Sequence, residues 1–169
     1  MGTYPGGNII RVTPTVIEDS AYADGDVLFV ATEIPNAVSY RGGVSKLYAT
    51  YLIDEDSQAT KLHLIFTQKA TDFGTIDATA NVSYDNVVAS NFLGILKVDD
   101  NAQTAGDLDN FTVKESQSLS GPNDGFRPII LQAEGGSTSV YVQAVIYDGT
   151  PTFTNTDSLQ LVFHIEYLG

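Results

Sequence analysis

Cysteine and tryptophan are absent from this 169-residue chain, and methionine occurs once. Without cysteine there is no disulfide, no thiol nucleophile, no zinc–thiolate site and no iron–sulfur cluster. Basic residues are also scarce: eight Lys and Arg stand against 21 Asp and Glu, for a net charge of −13. The bases occur singly, at Arg11, Arg41, Lys46, Lys61, Lys69, Lys97, Lys114 and Arg127. Binding to nucleic-acid phosphates or to an anionic membrane needs a clustered basic surface, so neither partner is expected. No apolar run reaches the roughly 18 residues that would suggest a membrane-spanning helix. The opening Met1-Gly2-Thr3-Tyr4-Pro5-Gly6-Gly7 lacks the basic and apolar regions of a secretion signal, and Gly6 stands where N-myristoylation needs Ser or Thr.

What is present is a single domain's worth of apolar sequence. Hydrophobic residues make up 43% of the chain, enough for a packed core, and charged residues only 17%, against about 25% in typical globular proteins. No composition shift divides the chain and no repeat of solenoid or propeller length is visible. Residues 1–8, rich in Gly and Pro, read as a flexible N-terminal arm, and 9–169 as one domain.

Period-two alternation runs through most of that domain. Ile10 to Thr13 alternate until Pro14, which marks an edge strand or bulge. Residues 27–31 form a continuous apolar strand. In 44–54, Leu47, Ala49, Tyr51 and Ile53 share one face, and Leu62, Leu64 and Phe66 follow beyond the acidic loop Asp54-Glu55-Asp56-Ser57. These two runs read as an antiparallel pair. Residues 84–90 suit one or two helical turns, 92–98 a strand, 99–110 a long acidic loop, 111–118 a polar strand and 126–132 another strand. Val140, Val142, Ala144 and Ile146 alternate with Tyr141, Gln143, Val145 and Tyr147. The run Leu159, Leu161, Phe163, Ile165 and Tyr167 alternates with Gln160, Val162, His164 and Glu166. The pattern predicts an all-β fold: a single β-sandwich, of jelly-roll type, with eight or nine strands and one short helix. The expected core is Leu47, Tyr51, Ile53, Leu62, Leu64, Phe66, Val142, Ile146, Leu161, Phe163 and Ile165.

The chemistry-bearing residues form no recognisable constellation. The two histidines, His63 and His164, lie mid-strand opposite the apolar stripes, and no Gly-x-Ser-x-Gly elbow supplies a nucleophile. Gly6-Gly7, Gly42-Gly43 and Gly135-Gly136 precede no helix carrying Lys-Ser/Thr, so they read as turns. Carboxylates are plentiful, but sugar platforms usually rely on stacking aromatics and the chain has no Trp. The loops holding Asp54/Glu55/Asp56 and Asp99/Asp100/Asn101 with Asp107/Asp109/Asn110 do not match a calcium-binding loop. The expectation is a non-enzymatic protein with no cofactor and no metal. Apolar residues on the outward faces of strands, namely Ile65, Tyr141, Val145, Tyr147, Val162 and Leu168, together with Tyr4 of the arm, are the candidate interface.

Ser20-Ala21-Tyr22-Ala23-Asp24-Gly25-Asp26-Val27 resembles the S-A-Y-A-x-G-D-V segment of a family of tailed-bacteriophage virion proteins. The C-terminal region is similar as well. There Asp148-Gly149-Thr150-Pro151-Thr152-Phe153, in a β-hairpin, precede the last strand, Thr156-Asp157-Ser158-Leu159-Gln160-Leu161. The order between them matches too: a Val-Ser-Lys-Leu strand, a Leu-x-Leu-Ile-Phe strand, an Asp-rich segment, a short helix, then Phe92-Leu93-Gly94-Ile95-Leu96. One departure is the bulkier Leu28-Phe29-Val30, where the family has Gly-Gly-Leu. The resemblance implies a small all-β capsid decoration or cement protein on the outer surface of the virion. Its implied partners are the major capsid protein and itself, as a homotrimer, and it implies no catalytic residues. An exterior position also suits a charge that packaged DNA would repel. The alternatives are a carbohydrate- or receptor-binding jelly roll of a fibre or spike, and a minor tail or neck protein.

Overall fold

The computed structural model describes residues 6–58, 60–98, 103–108, 111–116 and 128–169. Their elements are, in chain order, β1 (Gly7–Val12), β2 (Val27–Ile34), β3 (Val44–Asp54), β4 (Lys61–Thr67), α1 (Tyr84–Ala89), β5 (Phe92–Val98), β6 (Gln103–Leu108), β7 (Phe111–Ser116), β8 (Ile129–Gln132), β9 (Val140–Asp148) and β10 (Leu159–Leu168). The strands make two antiparallel sheets. One has the order β1-β10-β3-β7-β6, with β8 also pairing with β3, and the other has the order β2-β9-β4-β5. This is an all-β sandwich with one short helix.

The core lies where the alternating apolar faces of the two sheets meet. Phe66 of β4 and Phe163 of β10 belong to opposite sheets, and their rings pack edge to face with centroids 5.9 Å apart. At another point of the same core Tyr22 and Phe153 make a second edge-to-face pair at 6.0 Å. The Tyr22 hydroxyl is buried yet satisfied: it donates to Leu28 O and accepts from Ile17 N.

Several expectations change on contact with the fold. Ten strands are described rather than eight or nine, because β6 occupies part of the stretch read as an acidic loop. The domain begins before residue 9, since Gly7 and Asn8 already pair with Glu166 and Ile165 in β1; residues 1–5 lie outside the described residues. β3 and β4 do not pair with each other, nor do β9 and β10: each pair is split between the two sheets. The reason is burial. Both members of each pair carry one apolar face, and placing them in opposite sheets turns those faces toward each other instead of side by side. β1 is an edge strand, as expected, and Pro14 lies just beyond its end.

The expected core is corrected at β3. Ala49 pairs with His164 and Leu47 with Ile165, so Tyr48 is an extra residue opposite no partner, a β-bulge. The bulge reverses the phase of the strand. Leu47 points inward, but beyond Tyr48 the inward side chains are Thr50, Leu52 and Asp54, while Tyr51 and Ile53 turn outward and are half-buried. The other nine expected residues are all buried.

Two inward hydroxyls of β3, those of Ser45 and Thr50, are fully buried without a hydrogen-bond partner. A buried polar group left unpaired costs stability. Ser45→Ala is therefore expected to raise the unfolding free energy by about 1 kcal/mol, read as a higher urea midpoint; a lower midpoint would show that the hydroxyl is satisfied in solution.

Candidate interaction faces

Antiparallel strands leave every second side chain on the outside of the sandwich, and the candidate interface residues fall on these outer faces. On the six-stranded sheet, Val162 sits between Arg11 and Tyr51 in register. It is buried at 8% exposure, so it is not the open surface residue expected from the sequence: its neighbours on the same face shield it. Beside it the Tyr51 and His164 rings lie 5.2 Å apart. Ile9 and Leu168 are exposed.

On the four-stranded sheet, Ile65 is also corrected: it is 4% exposed. Ile65 registers with Gln143, and Gln143 is where residues 68–91 clamp onto the sheet. The buried Gln143 amide accepts from Phe73 N at 3.0 Å and donates to Thr71 O at 2.8 Å. Phe73 is fully buried on this side of the sheet, apart from the main core cluster. Further along, Val27 bridges to Ile76, and a Cβ on Gly74, whose φ is +137°, would meet the Val27 side chain at 3.1 Å. The excursion thus lies tight against the sheet and removes its centre from solvent.

Tyr141, Val145 and Tyr147 remain half-buried. Tyr147 is sandwiched by neighbours: the His63 ring stacks on it at 4.7 Å and Lys97 Nζ lies 4.7 Å from its centroid. Burial, and then the Lys97 charge, hold His63 below its ordinary value of 6.5. This imidazole is neutral near pH 7 and packs as an aromatic. Tyr4 lies outside the described residues.

Sequence reasoning missed the exposed apolar residues Ile9, Tyr40, Tyr48 and Ile130, and also Val82, Tyr84, Val88 and Phe92, which lie in and around α1 and at the start of β5. α1 forms because Ser83 caps it, accepting from Asn86 N, with Asp85 in the first turn where the helix dipole favours an acid. None of its residues is buried. The signal was in the sequence: Tyr84 and Val88 are spaced i, i+4 and so share one helix face. Only the fold shows that this face points to solvent.

The acidic loops act as structural clamps where they are described. Asp54 accepts from Asp56 N and Gln58 N at 3.0 and 2.8 Å. Asp56 in turn accepts from Thr154 N and Oγ1 at 3.0 and 2.7 Å. Together they bind residues 54–58 to Thr154 of the loop before β10. Asp99, Asp100, Asn101, Asp109 and Asn110 lie outside the described residues. Among the described residues no group of three His, Asp or Glu is placed to hold a metal ion, and no helix is long and apolar enough to cross a membrane.

No protein-family model matches the chain, and no curated protein matches it either.

Proposed function

We propose that this chain is a non-enzymatic structural protein of a tailed-phage virion, a decoration or cement protein bound to the outer surface of the capsid. Its partners in this reading are the major capsid protein and two further copies of itself. The observation that carries it is the distribution of surface chemistry. Exposed apolar side chains occur at the α1 end of a clamped excursion (Val82, Tyr84, Val88 and Phe92) and at Ile9, Tyr40, Tyr48, Ile130 and Leu168, while the carboxylates of Asp54 and Asp56 and both histidine rings are engaged with neighbouring groups of the scaffold. That arrangement suits a rigid module that docks rather than one that reacts. The segment carrying the phage resemblance fits the same reading, because it builds a junction of the scaffold: Ser20 Oγ donates to Asp77, Asp26 accepts from Ala23 N, and Tyr22 is buried. A jelly roll belongs to this proposal as well. It is supported by the way β1 to β4, and again β9 and β10, alternate between the two sheets.

A small module bridging several shell subunits gains avidity from repeated contacts, so its removal has a measurable consequence. Capsids lacking the protein are expected to release DNA at lower temperature or lower ionic strength than complete ones. Equal thermal stability with and without it overturns the cement role and favours an adsorption protein of a fibre or spike.

A further inference from the structure

We propose that the open edge of β1 is a self-association surface, on which β1 of a second copy adds as an antiparallel strand about a two-fold axis centred on Ile9. The inference is independent of the capsid reading above: it concerns a contact between two copies of this chain, and its test needs no capsid.

Three observations lead to it. The first is a row of unpaired backbone groups. Tyr167 N donates to Gly6 O at 3.2 Å, which fixes the phase of the β1–β10 ladder. In an antiparallel pair, bonded and non-bonded residues alternate. The N–H and C=O groups of Asn8, Ile10 and Val12 therefore face β10, and those of Gly7, Ile9 and Arg11 face away from it. Among the described residues no strand lies on that side. β2, an edge strand of the other sheet, is treated differently. Val27 N donates to Ala78 O at 2.9 Å, Val27 O accepts from Asp77 N at 3.0 Å, and Ala31 N donates to Asp72 Oδ1 at 2.9 Å. The 68–91 excursion bonds to β2, and no described segment does the same for β1.

The second is that β1 lacks most of the devices that keep an edge from pairing, such as proline, a bulge or an inward-pointing charge. Residues 7–12 include no proline and no acid, and their register with β10 runs without a bulge. Ile9 is 49% exposed. The one charge on the strand is Arg11.

The third is self-complementarity, which selects a second copy as the occupant. With Ile9 opposite its own equivalent, Gly7 of each copy stands opposite Arg11 of the other, and every outward backbone group of these residues finds a partner. The two Ile9 side chains meet at the axis. Glu166 lies in register on the far side of Gly7, held on this face by Tyr48 Oη at 2.6 Å with Lys46 Nζ 3.7 Å away. Glycine puts no side chain in between. Arg11 of one copy thus extends over Gly7 toward Glu166 of the other, across two strand spacings of about 5 Å each. Among the described residues Arg11 has no ion-pair partner in its own chain. A register with Arg11 opposite its equivalent would set like charges together and leave the outward groups of Gly7 unpaired. Each copy carries a net charge of −13, which opposes association, and a strand edge covers little area. The contact therefore belongs to the weak, concentration-dependent class.

The test is sedimentation equilibrium of the full chain over a range of concentrations. The wild type is expected to pass from monomer to dimer as concentration rises. Ile9→Pro removes an outward N–H without touching the ladder to β10, and Arg11→Glu sets acid against acid. Each is expected to weaken dimerisation at least tenfold with an unchanged circular-dichroism spectrum. Adding Glu166→Arg to Arg11→Glu should restore the dimer, a rescue that a purely structural role for Arg11 would not give. Because the chain has no cysteine, Ile9→Cys places single thiols opposite each other at the axis, and mild oxidation should link the two copies. Ile130→Cys, exposed on β8, should stay unlinked. A wild type that remains monomeric at every concentration overturns the inference. So does an oligomer of any size that both Ile9→Pro and Arg11→Glu leave intact, which would assign self-association to another face. Neither result bears on capsid binding, which the particle-stability assay tests separately.

Discussion

Phe163→Ala is expected to destabilise the protein by about 3–5 kcal/mol, the range for truncating a buried aromatic. Phe163 has no exposure and packs its ring against Phe66 of the facing sheet. The loss is large because the site resists collapse. β10 is hydrogen-bonded on both sides, to β1 and to β3, so the strand cannot move inward to fill the space without breaking two registers. The cavity term then adds to the lost transfer energy. Urea unfolding should show a lower midpoint with an unchanged slope, the sign of lost stability without a changed denatured state. Phe92→Ala provides the contrast, because Phe92 is exposed, and a change within about 0.5 kcal/mol is expected there. A cost below about 1 kcal/mol for Phe163→Ala would remove it from the core.

The second large effect is on pH dependence, and it comes from Asp54. Its carboxyl is buried at the end of β3 and is pushed up from 3.8 to about 6. Burial is the main cause, partly offset by the N–H donors of Gln58 and Asp56 and by the Lys114 charge. Between about pH 4 and 6 the folded chain therefore holds more of this proton than the unfolded chain does, so stability falls as pH rises through that window. Asp56 behaves oppositely. Burial raises it, but hydrogen bonds from Thr154 and Ser158 outweigh that and hold it below 3.8, so its contribution is present above that value and is lost in stronger acid. Wild-type protein is expected to be more stable at pH 5 than at pH 7. Relief of repulsion among the excess acids has the same sign, so Asp54→Asn isolates the single group. The variant should lose about 1–2 kcal/mol of the pH dependence, after allowance for solvent screening. Parallel pH profiles for wild type and Asp54→Asn would show that Asp54 titrates normally.

The extent to which these groups could be seen beforehand differs by residue. Phe163 was legible because alternation places it on the apolar face of a strand whose pattern runs unbroken from Leu159 to Tyr167. Asp54 was visible only as a member of an acidic loop. Its burial follows from the bulge at Tyr48, which shifts the strand by one residue and turns Asp54 inward with Thr50 and Leu52. Nothing between Val44 and Asp54 marks that extra residue, because the bulge is set by pairing with β10, more than a hundred positions away in the chain. Ile65 and Val162 failed as open interface residues for a related reason. Alternation identified their outward face correctly, but one is covered by the 68–91 excursion and the other is shielded by the side chains beside it.

The sequence by itself determined that this is a β protein with one short helix, a strongly acidic composition and no cysteine chemistry, because strand alternation, helix capping and net charge are local or additive properties of the chain. Only the tertiary structure decided which strands share a sheet, where the phase of β3 reverses, and which outward apolar residues meet solvent. Those outcomes depend on contacts between distant segments: β10 against β1 and β3, and residues 68–91 folded back over β9. A period of two says which side chains share a face, but what lies opposite that face is a property of the packed whole.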